Sequence, residues 1–187
     1  MRIITGKIKG MNLFSPQNMN IRPTADRVKE SVFNILGNNF WDSIVLDLFA
    51  GSGNLGLESW SRGAEAVHFV ECSPQSLALL NKNIQKAKVQ DYVKVYRNDA
   101  IRSIAYFASQ EIKFDYIFAD PPYNKDFVTK ILVQIDEFDI VKENGIIIIE
   151  HSTQELIDLT SLNKLSLVRK ERYGDTVVSF LKKTIGR

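Results

Sequence analysis

The chain has 187 residues, 24 Lys+Arg against 22 Asp+Glu, one cysteine and 44% hydrophobic residues. That suits one globular domain and excludes a disordered chain or a disulfide scaffold. The longest aliphatic run, residues 146–149, is far short of the ~20 residues a membrane span needs. No apolar stretch at the start is long enough for a signal peptide, so a soluble cytoplasmic protein is expected.

The net charge of +2 is uneven: the first thirty residues hold Arg2, Lys7, Lys9, Arg22, Arg27 and Lys29 against Asp26 and Glu30. Such an end suits contact with a polyanion, or simply a solvated surface. In chain order, Arg2–Thr5 and Met11–Phe14 flank Gly6-Lys7-Ile8-Lys9-Gly10 and predict a hairpin. Thr24–Leu36 predicts a helix, with Val28, Val32, Ile35 and Leu36 on one stripe. Residues 1–40 thus read as a basic extension and 41–187 as the core of a single domain.

Strand-length apolar runs follow at Ser43–Asp47, Ala66–Glu71, Tyr92–Tyr96, Phe114–Ala119 and Gly145–Glu150. Between them lie helix-period segments. In one, Leu77, Leu80, Ile84 and Ala87 share a face, and Ser73-Pro74 supplies an N-cap and a proline at N1. This alternation predicts parallel strands with right-handed crossovers, hence a three-layer α/β domain. Leu165–Glu171 and Thr176–Lys182 are separated only by residues 172–175. That is too short for a crossover and predicts an antiparallel pair.

The first strand runs through Asp47, Phe49 and Ala50 into Gly51-Ser52-Gly53-Asn54-Leu55-Gly56, a G-x-G-x-x-G loop between strand and helix. Glu71, 20 residues after Gly51, ends the next strand, where a carboxylate can accept from a ribose diol. A pyrophosphate would be repelled by Asp47, whereas the cationic amino-acid end and sulfonium of S-adenosylmethionine would be drawn to it. A methyl donor therefore fits better than a dinucleotide. Asp99, followed by Ala100, either hydrogen-bonds an adenine amino group, with Ala100 leaving room for the ring, or caps the next helix.

Asp120-Pro121-Pro122-Tyr123 ends an almost wholly apolar strand. Two prolines stiffen the loop and remove two donors, leaving the Asp120 carboxylate and the Pro121 carbonyl as fixed acceptors. Two acceptors suit an aromatic amino group that must aim its lone pair at a methyl group, and the carboxylate stabilises the charge that develops. Tyr123 offers a face on which an extruded base can stack.

His68 and His151 lack the partners of a nucleophilic triad, and Cys72, Trp41 and Trp60 read as packing residues. No metal-ligand cluster stands out. A nicotinamide oxidoreductase would leave the Asp-Pro-Pro-Tyr loop without a role. Nothing in the site residues favours a non-catalytic RNA-binding domain. Adenine N6 or a protein glutamine amide are alternative acceptors within the same reaction class.

Taken together, the glycine loop, Glu71, Asp99 and residues 120–123 resemble the Rossmann-like S-adenosylmethionine-dependent amino-methyltransferases. More narrowly, Arg2-Ile3-Ile4-Thr5-Gly6, Arg22-Pro23-Thr24 with Asp26-Arg27-Val28-Lys29-Glu30, and Asp47-Leu48-Phe49-Ala50-Gly51-Ser52-Gly53 resemble the RsmD family. Those bacterial enzymes act on a guanine N2 of 16S ribosomal RNA. The resemblance implies a doubly wound seven-stranded sheet with one antiparallel strand, preceded by an N-terminal hairpin and helix. It implies that Asp47, Phe49, Ala50, Gly51, Ser52, Gly53, Glu71, Asp99 and Ala100 hold S-adenosylmethionine and that Asp120, Pro121, Pro122 and Tyr123 hold the guanine. Lys7, Lys9, Arg22, Thr24, Arg27 and Lys29 become candidate RNA contacts. The implied partner is 16S RNA, free or in a small-subunit particle. A monomer is the default.

Overall fold

The computed structural model describes residues 1–16, 23–38, 40–122, 127–155 and 157–184. Among the described residues, seven strands form one sheet in the order β3-β2-β1-β4-β5-β7-β6. They are β1 (Ile44–Asp47), β2 (Ala66–Glu71), β3 (Val93–Arg97), β4 (Phe114–Ala119), β5 (Val141–Ser152), β6 (Leu165–Tyr173) and β7 (Thr176–Lys183). β1 pairs with β2, β2 with β3, and β4 with β5, all parallel. β7 lies antiparallel to both of its neighbours, β5 and β6. The helices are α1 (Pro23–Leu36), α2 (Asn54–Ser61), α3 (Pro74–Ala87), α4 (Ala100–Ser109) and α5 (Phe127–Phe138). Among the described residues, no helix is long and apolar enough to cross a membrane.

The chain divides into two compact units, Met1–Asn98 and Asp99–Arg187. In the first, α2 is buried over most of its length, and Val45, Leu46, Val67 and Phe69 of the strands are buried. Leu77, Leu80, Ile84 and Ala87 of α3 are buried as their spacing predicts, and the Ser73 hydroxyl accepts from the Ser76 amide at the N-cap. In the second unit, Ile104 and Phe107 of α4, Ile131, Leu132 and Ile135 of α5, and Phe114, Ile117 and Phe118 of β4 make the core. Phe107 meets Phe114 edge to face at 5.1 Å, a favoured aromatic geometry.

Most strand ends lie within two residues of the expected ones, and the larger differences have local causes. β3 starts at Val93 because Gln90–Tyr92 forms a 3-10 turn. β5 extends back to Val141, which pairs with Phe114 across a register shift. At the front, regular strands do not form. The hairpin is a single antiparallel bridge, Arg2 to Asn12, with the Ile3 amide donating to Met11 O at 3.0 Å and the Gly10 amide to Ile3 O at 2.8 Å. This arm gets its order from α2 and α3 instead. The Glu58 carboxylate accepts from the Ile4 and Thr5 amides, and the Ser61 carbonyl accepts from the Lys7 amide at 2.7 Å. Gly6 has φ +91°, and a Cβ there would lie 1.8 Å from Ser61 O. Only glycine permits that approach.

Candidate active site

The first unit gathers Asp47, Phe49, Ala50, Gly51, Ser52, Gly53 and Glu71 around the turn between β1 and α2. Strand β1 delivers Asp47 to its carboxyl end, and the loop folds back over it. The Gly56 amide donates to Asp47 Oδ2 at 3.0 Å, and the Phe49 amide also bonds this carboxylate. Asp47 is 2% exposed, and no cation pairs with it among the described residues. Burial pushes its carboxyl up to about 7, and the nearby Glu71 charge adds to the rise, against the pull of the two amides.

Glu71, at the end of β2, braces the same turn. Its Oε2 accepts from the Gly51 amide at 2.9 Å and its Oε1 from the Ser73 amide at 2.8 Å. A carboxylate has about four acceptor positions, so both oxygens keep capacity for a further donor. The Ala50 amide bonds Val70 O, and the Gly53 amide bonds Ala50 O at 2.7 Å.

The glycines of the loop serve different ends. Gly53 has φ +84°, and a Cβ on it would meet Leu80 Cδ1 at 2.5 Å; one on Gly56 would meet Phe69 Cε1 at 2.3 Å. Gly53 thus lets the loop close against α3, and Gly56 lets α2 close onto the sheet. Gly51, at φ +53°, has nothing within 4 Å of where a Cβ would stand. Its backbone borders open space.

The second unit carries the other candidates. Asp99 is the N-cap of α4: its Oδ1 accepts from the Ile101 amide at 2.9 Å and the Arg102 amide at 3.2 Å. Of the two roles open for it in sequence, the cap is the one the geometry displays. Ala100 is the buried first residue of α4. β4, buried through Ile117-Phe118-Ala119, ends at Asp120, which is exposed, followed by buried Pro121 and exposed Pro122. Tyr123 lies outside the described residues, as does Arg22; Thr24 stands in α1, but its side chain is outside them too.

The basic candidates separate. Lys7, Lys9 and Arg27 are exposed. Lys7 Nζ sits 4.9 Å over the Trp60 ring and 5.5 Å over that of Trp41. Lys29, expected to contact RNA, is instead 2% exposed. Its ammonium donates to Arg2 O at 2.6 Å and to Asn54 Oδ1 at 2.8 Å, and it pairs with Glu58 Oε2 at 3.2 Å. With three partners inside the protein, it has no proton left for a phosphate. Its place on the apolar stripe beside Val28 and Val32 carries it inward.

Other expectations shift as well. Cys72 is exposed rather than packed, and Trp41 is exposed, lying against Gly63. His68 Nδ1 bonds the Tyr96 hydroxyl at 3.1 Å, and burial holds its ring down to about 4. His151 Nδ1 donates to Ser152 O, which leaves Nε2 to accept from the Ser179 hydroxyl. Among the described residues no group of side chains could hold a metal ion.

Two residues not singled out in sequence organise the first unit. Glu58, fully buried, accepts from the Ile4 and Thr5 amides, Arg62 Nε and Lys29 Nζ. Asn83, also fully buried, donates to Ser52 O in the glycine loop and to Phe14 O, and accepts from the Phe14 amide. The signal for Asn83 was present: it is a polar residue on the Leu80–Ile84–Ala87 face.

The chain matches the family model described as "Conserved hypothetical protein 95" over residues 1–182. It is 40% identical over 183 residues to a Bacillus subtilis protein named "Putative rRNA methyltransferase YlbH", covering 98% of this chain and 99% of that one. It is 34% identical to "Ribosomal RNA small subunit methyltransferase D" of Haemophilus influenzae, covering 96% and 91%. A solved structure titled "Putative methyltransferase yhhF from Escherichia coli" superposes with a TM-score of 0.82 at 28% identity, covering 98% of this chain and 97% of that one. With a match running from the arm to the last strand of the sheet, the chain belongs to the Conserved hypothetical protein 95 family, the RsmD family that its motifs resemble.

Proposed function

We propose that the chain is an S-adenosylmethionine-dependent methyltransferase that modifies the exocyclic N2 of a guanine in 16S ribosomal RNA. The observation that carries the reading is Asp47, a buried carboxylate with amide partners but no paired cation among the described residues, under a loop whose first glycine borders open space. The names of the relatives, matched over nearly their whole length, support the substrate class.

The residues fit the cofactor. Asp47 offers a negative charge to its cationic methionine end, and Glu71 keeps acceptor capacity for two ribose hydroxyls. Asp99 and Ala100 are assigned the adenine, with Asp99 doubling as helix cap. When bound, the cofactor supplies a methyl group on a positively charged sulfur. Asp120 and the Pro121 carbonyl accept the two N–H bonds of the guanine amine, which frees the lone pair from the ring. Asp120 then stabilises the positive charge arriving on nitrogen and takes up the proton. Tyr123 stacks on the base, while Lys7, Lys9, Arg22, Thr24 and Arg27 contact the RNA backbone. The substrate is free 16S RNA or a small-subunit particle, and the enzyme acts as a monomer within a single 1–187 domain.

The test is transfer of labelled methyl groups to unmethylated 16S RNA, with nucleoside analysis of the product. N2-methylguanosine supports the reading. Label in N6-methyladenosine, or in a protein glutamine, would replace guanine with one of the alternative acceptors.

A further inference from the structure

We infer that Asn83 is a positioning residue that makes the N-terminal arm part of the cofactor loop, so that arm order and cofactor binding are linked. The inference rests on the glycine loop being the cofactor site, as proposed above. One amide group of a fully buried side chain serves both elements. Its Nδ2 donates to Ser52 O at 2.8 Å and to Phe14 O at 2.9 Å, while Oδ1 accepts from the Phe14 amide at 2.7 Å.

The orientation of that amide is set by its partners. A flipped side chain would place an oxygen against two carbonyls and a nitrogen against an amide, so all three bonds would break together. Buried groups left unpaired in this way are costly. The Ser52 carbonyl and the Phe14 peptide therefore hold their places jointly or leave them jointly.

A second tie connects the other end of the arm to the same loop. Lys29 Nζ bridges Arg2 O to Asn54 Oδ1, the first residue of α2. The arm is thus fastened at residues 2 and 14 to backbone and side chains on either side of Gly53. A ligand that orders the loop must also order the arm, and whatever holds the arm favours the ligand-ready loop. Linkage makes the effect reciprocal. In an enzyme whose arm carries Lys7 and Lys9, RNA held there would strengthen retention of the cofactor.

The test uses S-adenosylhomocysteine as the probe. Its affinity is measured by calorimetry, and amide exchange is followed by NMR with and without it. In the wild-type chain, saturation is expected to slow exchange of the Phe14 amide about fivefold or more. The Thr184 amide, which bonds Lys164 O in the second unit, should change less. Asn83→Ala is expected to abolish the selective slowing and to bind the probe about tenfold more weakly. A role confined to stability would not couple Phe14 to a ligand. Binding with Phe14 exchange unchanged, or slowed only as much as Thr184, overturns the inference and leaves the cofactor site standing. Failure of the wild-type chain to bind the probe overturns both. The wild-type exchange comparison decides the matter even if Asn83→Ala does not fold.

Discussion

Replacing Asp47 by Asn isolates the electrostatic cost of the buried carboxylate. The side chain keeps its shape and an oxygen to accept from the Gly56 amide. Holding the carboxyl up to about 7, against an ordinary 3.8, means that the charged form costs the folded protein about 4 kcal/mol. Between those two values the folded chain holds a proton that the unfolded chain has released, so Asp47 makes stability fall as pH rises across the window. Above about 7 its contribution is level. Asparagine has no such proton. The stability of Asp47→Asn relative to wild type should therefore move in the variant's favour by about 4 kcal/mol between pH 4 and pH 8. A fixed penalty of ~1–3 kcal/mol for an unpaired amide would displace both points equally. His68 acts in the opposite sense, since its low value removes stability as pH falls from about 6.5 to about 4. It is present in both proteins and cancels. Urea titrations at the two pH values read the difference directly. A stability difference that stays constant within about 1 kcal/mol would mean that Asp47 titrates alike in the folded and unfolded chain, and the buried charge would then carry no such cost.

Asp120→Ala should lower methyl transfer by about a thousandfold or more while leaving S-adenosylhomocysteine affinity within about twofold, and Asp120→Asn should be impaired less; near-normal turnover would remove Asp120 from the mechanism. Neutralising Lys7, Lys9 and Arg27 one at a time should weaken RNA binding and reduce the salt slope by roughly 0.7–0.9 for each phosphate no longer neutralised, read from affinities at several salt concentrations. Lys29→Ala should behave differently. It removes one of the two cations paired with buried Glu58, which keeps Arg62, and leaves Arg2 O and Asn54 Oδ1 without their donor, and should cost about 1–3 kcal/mol of stability in urea titrations. Gly6→Ala should detach the arm, because its Cβ would overlap Ser61 O, and limited proteolysis should then cleave residues 1–14 early.

Much of the fold was legible because its signals are local. β2 and β4 occupy the residues their apolar runs predict, and the Ser73-Pro74 start of α3 is where capping chemistry puts it. The short link between the last two apolar runs requires antiparallel pairing, and β6 and β7 pair that way across Gly174-Asp175. The arm was less legible. Its alternation suggested strands, but its amides are satisfied by Glu58, Ser61 and Asn83, partners more than fifty residues away. The inward course of Lys29 is illegible for the same reason: composition counts a charge, whereas only the packed partner Glu58 shows that the charge points inward. Gly53 and Gly56 look alike in the motif with Gly51, and only the neighbouring Leu80 and Phe69 separate packing glycines from the one beside open space.

Guanine N2 methylation is decided by single-turnover transfer from labelled S-adenosylmethionine to unmethylated 16S RNA, free and in small-subunit particles, with the product nucleosides resolved. Label in N2-methylguanosine is expected with the wild-type chain, and none above background with Asp120→Ala. Label in another nucleoside, or undiminished label with the variant, would overturn the proposed function or the role of Asp120 in it.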